Sequence, residues 1–97
     1  MDRPLNGRDA VARMGALWRA GRVVFTLHAA ERMLARGILA VDLERVRVRT
    51  GRVAEVTRPG LQWRYCVEGA TIDGRRIRCI TEMDEGLLII TVIDLSR

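Results

Sequence analysis

The sequence predicts an α+β domain, with two or three helices packed on one face of a four-stranded antiparallel sheet. Three observations lead there. Up to Ile38 the apolar residues recur at steps of three and four, the helical period. Beyond Gly51 the chain instead alternates, or runs apolar in short stretches bounded by turn residues. Between two of those stretches lies Asp73-Gly74, a strong hairpin signal. Helices first and strands after them make a layered α+β arrangement.

The elements follow in order. Val11, Met14, Leu17 and Trp18 form a helical stripe between the break at Asn6-Gly7 and the stop at Gly21. Val23, Val24 and Phe25 make a short extended entry. From Leu27 the helical period returns, with Leu27, Ala30, Leu34 and Ile38 on one face until Gly37 interrupts it. Asp42 is placed to cap a third short helix carrying Leu43 and Val46, although Val46 to Thr50 alternates and reads equally as a strand. Arg52 to Thr57 is a strand, and Pro59-Gly60 turns the chain. Leu61 to Ile72 is the next strand, followed across the hairpin by Arg75 to Met83. Leu87 to Asp94, the most apolar strand, belongs in the middle of the sheet. A two-residue turn at Asp73-Gly74 pairs Glu68 with Cys79 and sets Tyr65 and Val67 against Arg76 and Arg78. One extra residue sorts the faces better, and a β-bulge at Gly69 is the expected place for it. The chain of 97 residues then reads as a single domain: an arm at 1–7, an additional helix at 8–21, and a core at 23–94.

Composition narrows the class of function. Hydrophobic residues are 48% and charged residues 30%, an ordinary globular balance. Apolar runs such as Leu87 to Ile90 are far below the ~20 residues of a membrane helix. Nothing at the N-terminus resembles a signal peptide, so a cytoplasmic protein without a membrane partner is expected. All 17 basic residues are arginine, and the net charge is +5. Arginine forks onto phosphate oxygens, so nucleic acid or an acidic protein is the expected partner class. Cys66 and Cys79 lack metal-ligand spacing and His28 is the one histidine, so neither a metal nor another cofactor is expected.

His28, Arg32 and Arg36 are the constellation with chemical content. Steps of four advance only ~40° around a helix, so the three form one stripe, away from Leu27, Ala30, Leu34 and Ile38. Its plain alternative is a solvated surface.

The stretch from His28 to Ile38, His-Ala-Ala-Glu-Arg-Met-Leu-Ala-Arg-Gly-Ile, resembles the His-x-x-x-Arg-x-x-x-Arg-Gly-Ile signature of a bacterial domain family of unknown function. Val67-Glu68-Gly69, Asp73-Gly74-Arg75 and Ile90-Thr91-Val92 continue the resemblance in order, over roughly 23–93. That family is similar to the RelE, MqsR and BrnT group of small toxins, whose helices lie against a curved antiparallel sheet. The resemblance implies an mRNA endoribonuclease held by a cognate antitoxin. The final strand lacks the tyrosine of related sequences, since Val92 leads into Ile93-Asp94. Ile77 and Arg78 stand where a His or Lys is common.

Metal-free RNA cleavage needs a base, cations around the phosphorane and an acid for the leaving oxygen. His28, Arg32 and Arg36 are the expected catalytic set, with Glu31 or Glu82 as the alternative base. Arg64, Tyr65, Arg75, Arg76 and Arg78 are the expected RNA-binding set, with mRNA, free or ribosome-bound, as substrate. The competing expectations are a non-catalytic arginine-rich domain for nucleic acid or an acidic protein, and a homodimer that buries apolar strands and Trp18.

Overall fold

The computed structural model describes residues 3–46 and 51–96. Its elements are α1 (Gly7–Arg19), β1 (Val23–Phe25), α2 (Leu27–Arg36), α3 (Ala40–Arg45), β2 (Arg52–Thr57), β3 (Arg64–Ala70), β4 (Arg76–Met83) and β5 (Leu87–Asp94). The strand alternative for Val46 to Thr50 falls largely on 47–50, outside the described residues.

The sheet is five-stranded and mixed, in the order β1-β5-β4-β3-β2. This corrects the four-stranded antiparallel expectation. Val23–Phe25 is a strand in its own right, paired parallel to Leu87–Ile89. A parallel partner some 60 residues away leaves no local trace, because only turn-linked antiparallel neighbours write their pairing into adjacent sequence. The pairing places apolar β5 inside the sheet, between β1 and β4.

The hairpin between β3 and β4 corrects a second expectation. Thr71 pairs with Arg75 through Thr71 N–H donating to Arg75 O at 2.8 Å. The loop therefore holds three residues, Ile72, Asp73 and Gly74, and Gly74 takes the left-handed φ of 85°. Such a loop commonly ends in a left-handed glycine. The extra residue thus lies in the turn, and Gly69 pairs with Ile77 in unbroken register. Tyr65, Val67, Ile77 and Cys79 all enter the core, while Glu68 pairs with Arg78 on the other face. Register shifts occur elsewhere, between Val53 and Glu55 in β2 and at the Ile80/Thr81 step facing β5.

Helix α2 packs on a different side from the one its leucines suggest. Ala29, Met33 and the following Ile38 are buried, whereas Leu27 is 76% and Leu34 85% exposed. Ala29 at 0% exposure lets the helix backbone come close to the sheet. The rotation follows from two anchors. At the start, the Thr26 hydroxyl accepts Ala29 N–H at 3.0 Å and donates to Ile90 O at 2.7 Å. Ile90 is the residue skipped between the pairs Ile80–Thr91 and Thr81–Ile89. At the end, Gly37 caps the helix with φ 64°. The Arg75 guanidinium donates to the Arg36 carbonyl and, at 3.1 Å, to that of Gly37. A cation at a helix C-terminus also meets the negative end of the helix dipole. In α3 the N-cap is Leu39, and Asp42 stands three residues further in, its carboxylate accepting Leu39 N–H at 2.9 Å.

Two outcomes test this arrangement by chemical denaturation. Gly74→Val should cost about 1–2 kcal/mol, because a β-branched residue resists left-handed φ. The same change at Gly60, which also has open space around its Cα, should cost little. Arg75→Ala should cost about 1.5–3 kcal/mol, since it leaves helix-end carbonyls without charged donors. Arg75→Lys should recover only part of that, lacking the planar fork.

Candidate nucleic-acid interface

The sheet has two unlike faces. Its inner face carries Tyr65, Val67, Ile77, Cys79, Ile89 and Val92 and packs against the helices. Alternation sends Arg64, Cys66, Glu68, Arg78, Ile80 and Glu82 to the outer face, away from the core.

The arginines of that outer face are committed. Glu68 accepts from Arg78 Nε at 3.1 Å, and Arg76 and Arg52 approach its other oxygen at 3.7 and 4.0 Å. Arg64 bonds Glu82 at 2.9 Å. The hydrogen bond from Arg78, with the positive charges around it, holds the Glu68 carboxyl below the ordinary carboxylate range. Donating that bond to Glu68 in turn strengthens the protonation of Arg78. Of the two thiols, Cys66 lies beside this cluster and Cys79 in the core on the inner face. Burial raises Cys66 and pushes Cys79 up to about 12, so neither is a nucleophile near neutrality.

His28, Arg32 and Arg36 lie on the helix side of the sheet, away from this cluster. His28 and Arg32 are exposed and Arg36 is half-buried. None of the three side chains makes a hydrogen bond or ion pair with another described residue. The stripe borders the buried line of Ala29 and Met33, not the side opposite the apolar face as its spacing suggested.

The two expected residue sets therefore meet only where Arg75 bonds the Arg36 carbonyl, and the rest of the RNA-binding set lies elsewhere. Arg64, Arg76 and Arg78 are on the outer sheet face. Tyr65 points into the core, where its hydroxyl accepts Leu5 N–H at 2.8 Å. Arg75 is the clamp on the end of α2, also 3.9 Å from Asp94. Of the alternative bases, Glu82 is engaged by Arg64, and Glu31 is exposed on α2 beside the stripe. Among the described residues no three His, Cys, Asp or Glu side chains group as metal ligands. No described helix is long and apolar enough to cross a membrane.

Sequence reasoning missed Glu68 as the centre of the arginine cluster, although one extra residue before β4 already sets it opposite Arg78 on the outer face. It also missed that, among the described residues, the side chains of Arg32 and Arg36 are unpaired while those of Arg64, Arg75, Arg76 and Arg78 are paired. Strand parity is the signal that finds the pairing of Glu68 with Arg78.

No curated protein and no solved structure matches the chain. A family model described as a domain of unknown function, DUF4258, matches residues 25–94, which runs from the end of β1 through β5 and leaves α1 outside. The match takes in α2, its Arg75 clamp and the whole antiparallel part of the sheet, and the chain belongs to the DUF4258 family.

Proposed function

We propose that this domain binds RNA through its phosphate backbone, using the α2 stripe of His28, Arg32 and Arg36. The observation that carries the reading is that these side chains have no intramolecular partner among the described residues, on a chain of net charge +5. An arginine already paired with a carboxylate must lose that bond before it can hold a phosphate. A solvated arginine exchanges only water and a counterion. That difference favours Arg32 and Arg36 over Arg76 and Arg78. The helix is fixed by the sheet at both ends, so the stripe is presented on a rigid element and not on a loop.

A second reading is a metal-independent mRNA endoribonuclease, the toxin of a toxin–antitoxin pair with a cognate antitoxin as partner. It is favoured by the resemblance of the family, whose motif order the chain shares, to the RelE, MqsR and BrnT toxins, and by His28 standing on one stripe with the two arginines. In it, His28 takes the proton of the 2′-hydroxyl while Arg32 and Arg36 neutralise the charge that develops on phosphorus. The missing partner for both ring nitrogens leaves His28 available for that role.

The salt dependence of single-stranded RNA binding tests the first reading. The double variant Arg32→Gln/Arg36→Gln should flatten the log–log slope by about 1.4, at ~0.7 counterion per phosphate contact. Arg78→Gln should leave the slope unchanged. A slope altered by Arg78→Gln and not by the α2 pair would move the interface to the sheet. Cleavage of RNA in the presence of a chelator, lost ~10²–10⁴-fold in His28→Ala with unfolding unaltered, would establish the second reading. Intact RNA after prolonged incubation with the folded wild-type chain would exclude it.

A further inference from the structure

A cleft lies at the end of the sheet marked by the turn between β4 and β5. Its walls come from the N-terminal arm, α1, the segment before β3 and the end of β4, and include Leu5, Arg13, Gln62, Trp63, Tyr65 and Asp84. Its volume is ≈ 410 Å³, within the range of small-ligand sites, roughly 300–1,000 Å³. None of the residues of the α2 stripe lines it.

The chemistry of the walls is specific. Two are aromatic, Trp63 and Tyr65. The Trp63 ring is backed by the Arg58 guanidinium at 5.2 Å from its centroid, which holds the indole in place. The indole N–H is buried without any acceptor. Arg13 spends Nη2 on the Asp84 carbonyl at 2.8 Å, and its remaining N–H groups are uncommitted among the described residues. The Asp84 carboxylate and the Gln62 amide add acceptors to the same rim.

We propose that this cleft binds a nucleobase, and that guanine is its best complement. A planar heteroaromatic ring suits aromatic walls. Guanine carries acceptors at O6 and N7, the pair an arginine fork recognises, and donors at N1 and N2 that a carboxylate accepts. Arg13 serves the first edge and Asp84 the second. Adenine lacks the N1 donor and the O6 acceptor, and the pyrimidines offer less stacking surface. The site rests on other residues than the α2 stripe, so base binding and phosphate binding succeed or fail separately.

The test is a titration of the ¹⁵N-labelled full chain with GMP, AMP, CMP, UMP and guanosine, following the two indole N–H resonances. Trp63→Phe identifies which resonance belongs to the cleft. GMP and guanosine should move the Trp63 resonance and leave that of Trp18, and AMP, CMP and UMP should do so more weakly. Asp84→Asn, which keeps the shape of the side chain, should weaken GMP binding by about tenfold or more. A single-stranded oligonucleotide with one guanine separates the sources: a stronger response than to GMP means the base arrives in RNA, a weaker one that it arrives as a free nucleotide. No shift of the Trp63 resonance with any nucleotide at about 10 mM would overturn the proposal. Equal shifts with all four nucleotides, unaltered in Asp84→Asn, would overturn it too, because they report a phosphate contact.

Discussion

Helix α2 is fastened at both ends to the sheet it lies on, and the face it presents follows from that. Thr26 ties its first turn to the Ile90 carbonyl, and Arg75 closes its last turn from the tip of the β3–β4 hairpin. Neither bond is local: the partners are 64 residues apart in one case and 38–39 in the other. Together they set the rotation of the helix, bury Ala29 and Met33 against β5, and leave His28 and Arg32 outside. Without the clamp at Arg75, the last carbonyls of α2 would lose their charged donors.

This fastening gives a physical reason for three motifs that are far apart in sequence. The Arg-Gly-Ile ending of α2 supplies the carbonyls and the left-handed glycine. The Asp-Gly-Arg turn supplies the guanidinium that bonds them. Its Thr71 and Asp73 shape the loop, with the Thr71 hydroxyl donating to the Asp73 carboxylate and accepting Arg75 N–H. The Ile90-Thr91-Val92 stretch supplies the bulged carbonyl that Thr26 bonds. Arg75 is thus a structural residue in this chain, although the same arginine in isolation looks like a phosphate ligand. The outer sheet face makes a related point. Arg64, Arg76 and Arg78 there look like an anion site in the sequence, but Glu68 and Glu82 hold them in ion pairs.

Much of the fold is legible in the sequence where the signal is local. The strand limits of β2 and β5, the start of α2 at Leu27 and the interior place of β5 all follow from period and turn chemistry. The hairpin shows the limit of that signal. Asp73-Gly74 marks a turn, but its length depends on Thr71 and Arg75 closing the loop, and a change of one residue exchanges the two faces of the sheet. The parity conflict at Gly69 was real and its cause lay in the loop. The parallel strand β1 was hidden for the opposite reason, as its partner is remote. On α2 two overlapping stripes, Leu27–Ala30–Leu34 and Ala29–Met33, compete in the sequence. The larger residues lose because the anchors at both ends favour a small residue at the closest approach.

The candidate site divides in the same way. Helical spacing was enough to place His28, Arg32 and Arg36 on one stripe, since it depends on the helix alone. Which arginines are free depends on strand pairing, and that was out of reach until the register was known. The most direct test of the α2 surface is chemical-shift mapping of the labelled chain with a short single-stranded RNA. The largest amide shifts should fall on 28–36, with the outer sheet positions 64–68 and 76–80 little changed. Shifts concentrated on those two strands, with α2 unaffected, would contradict it.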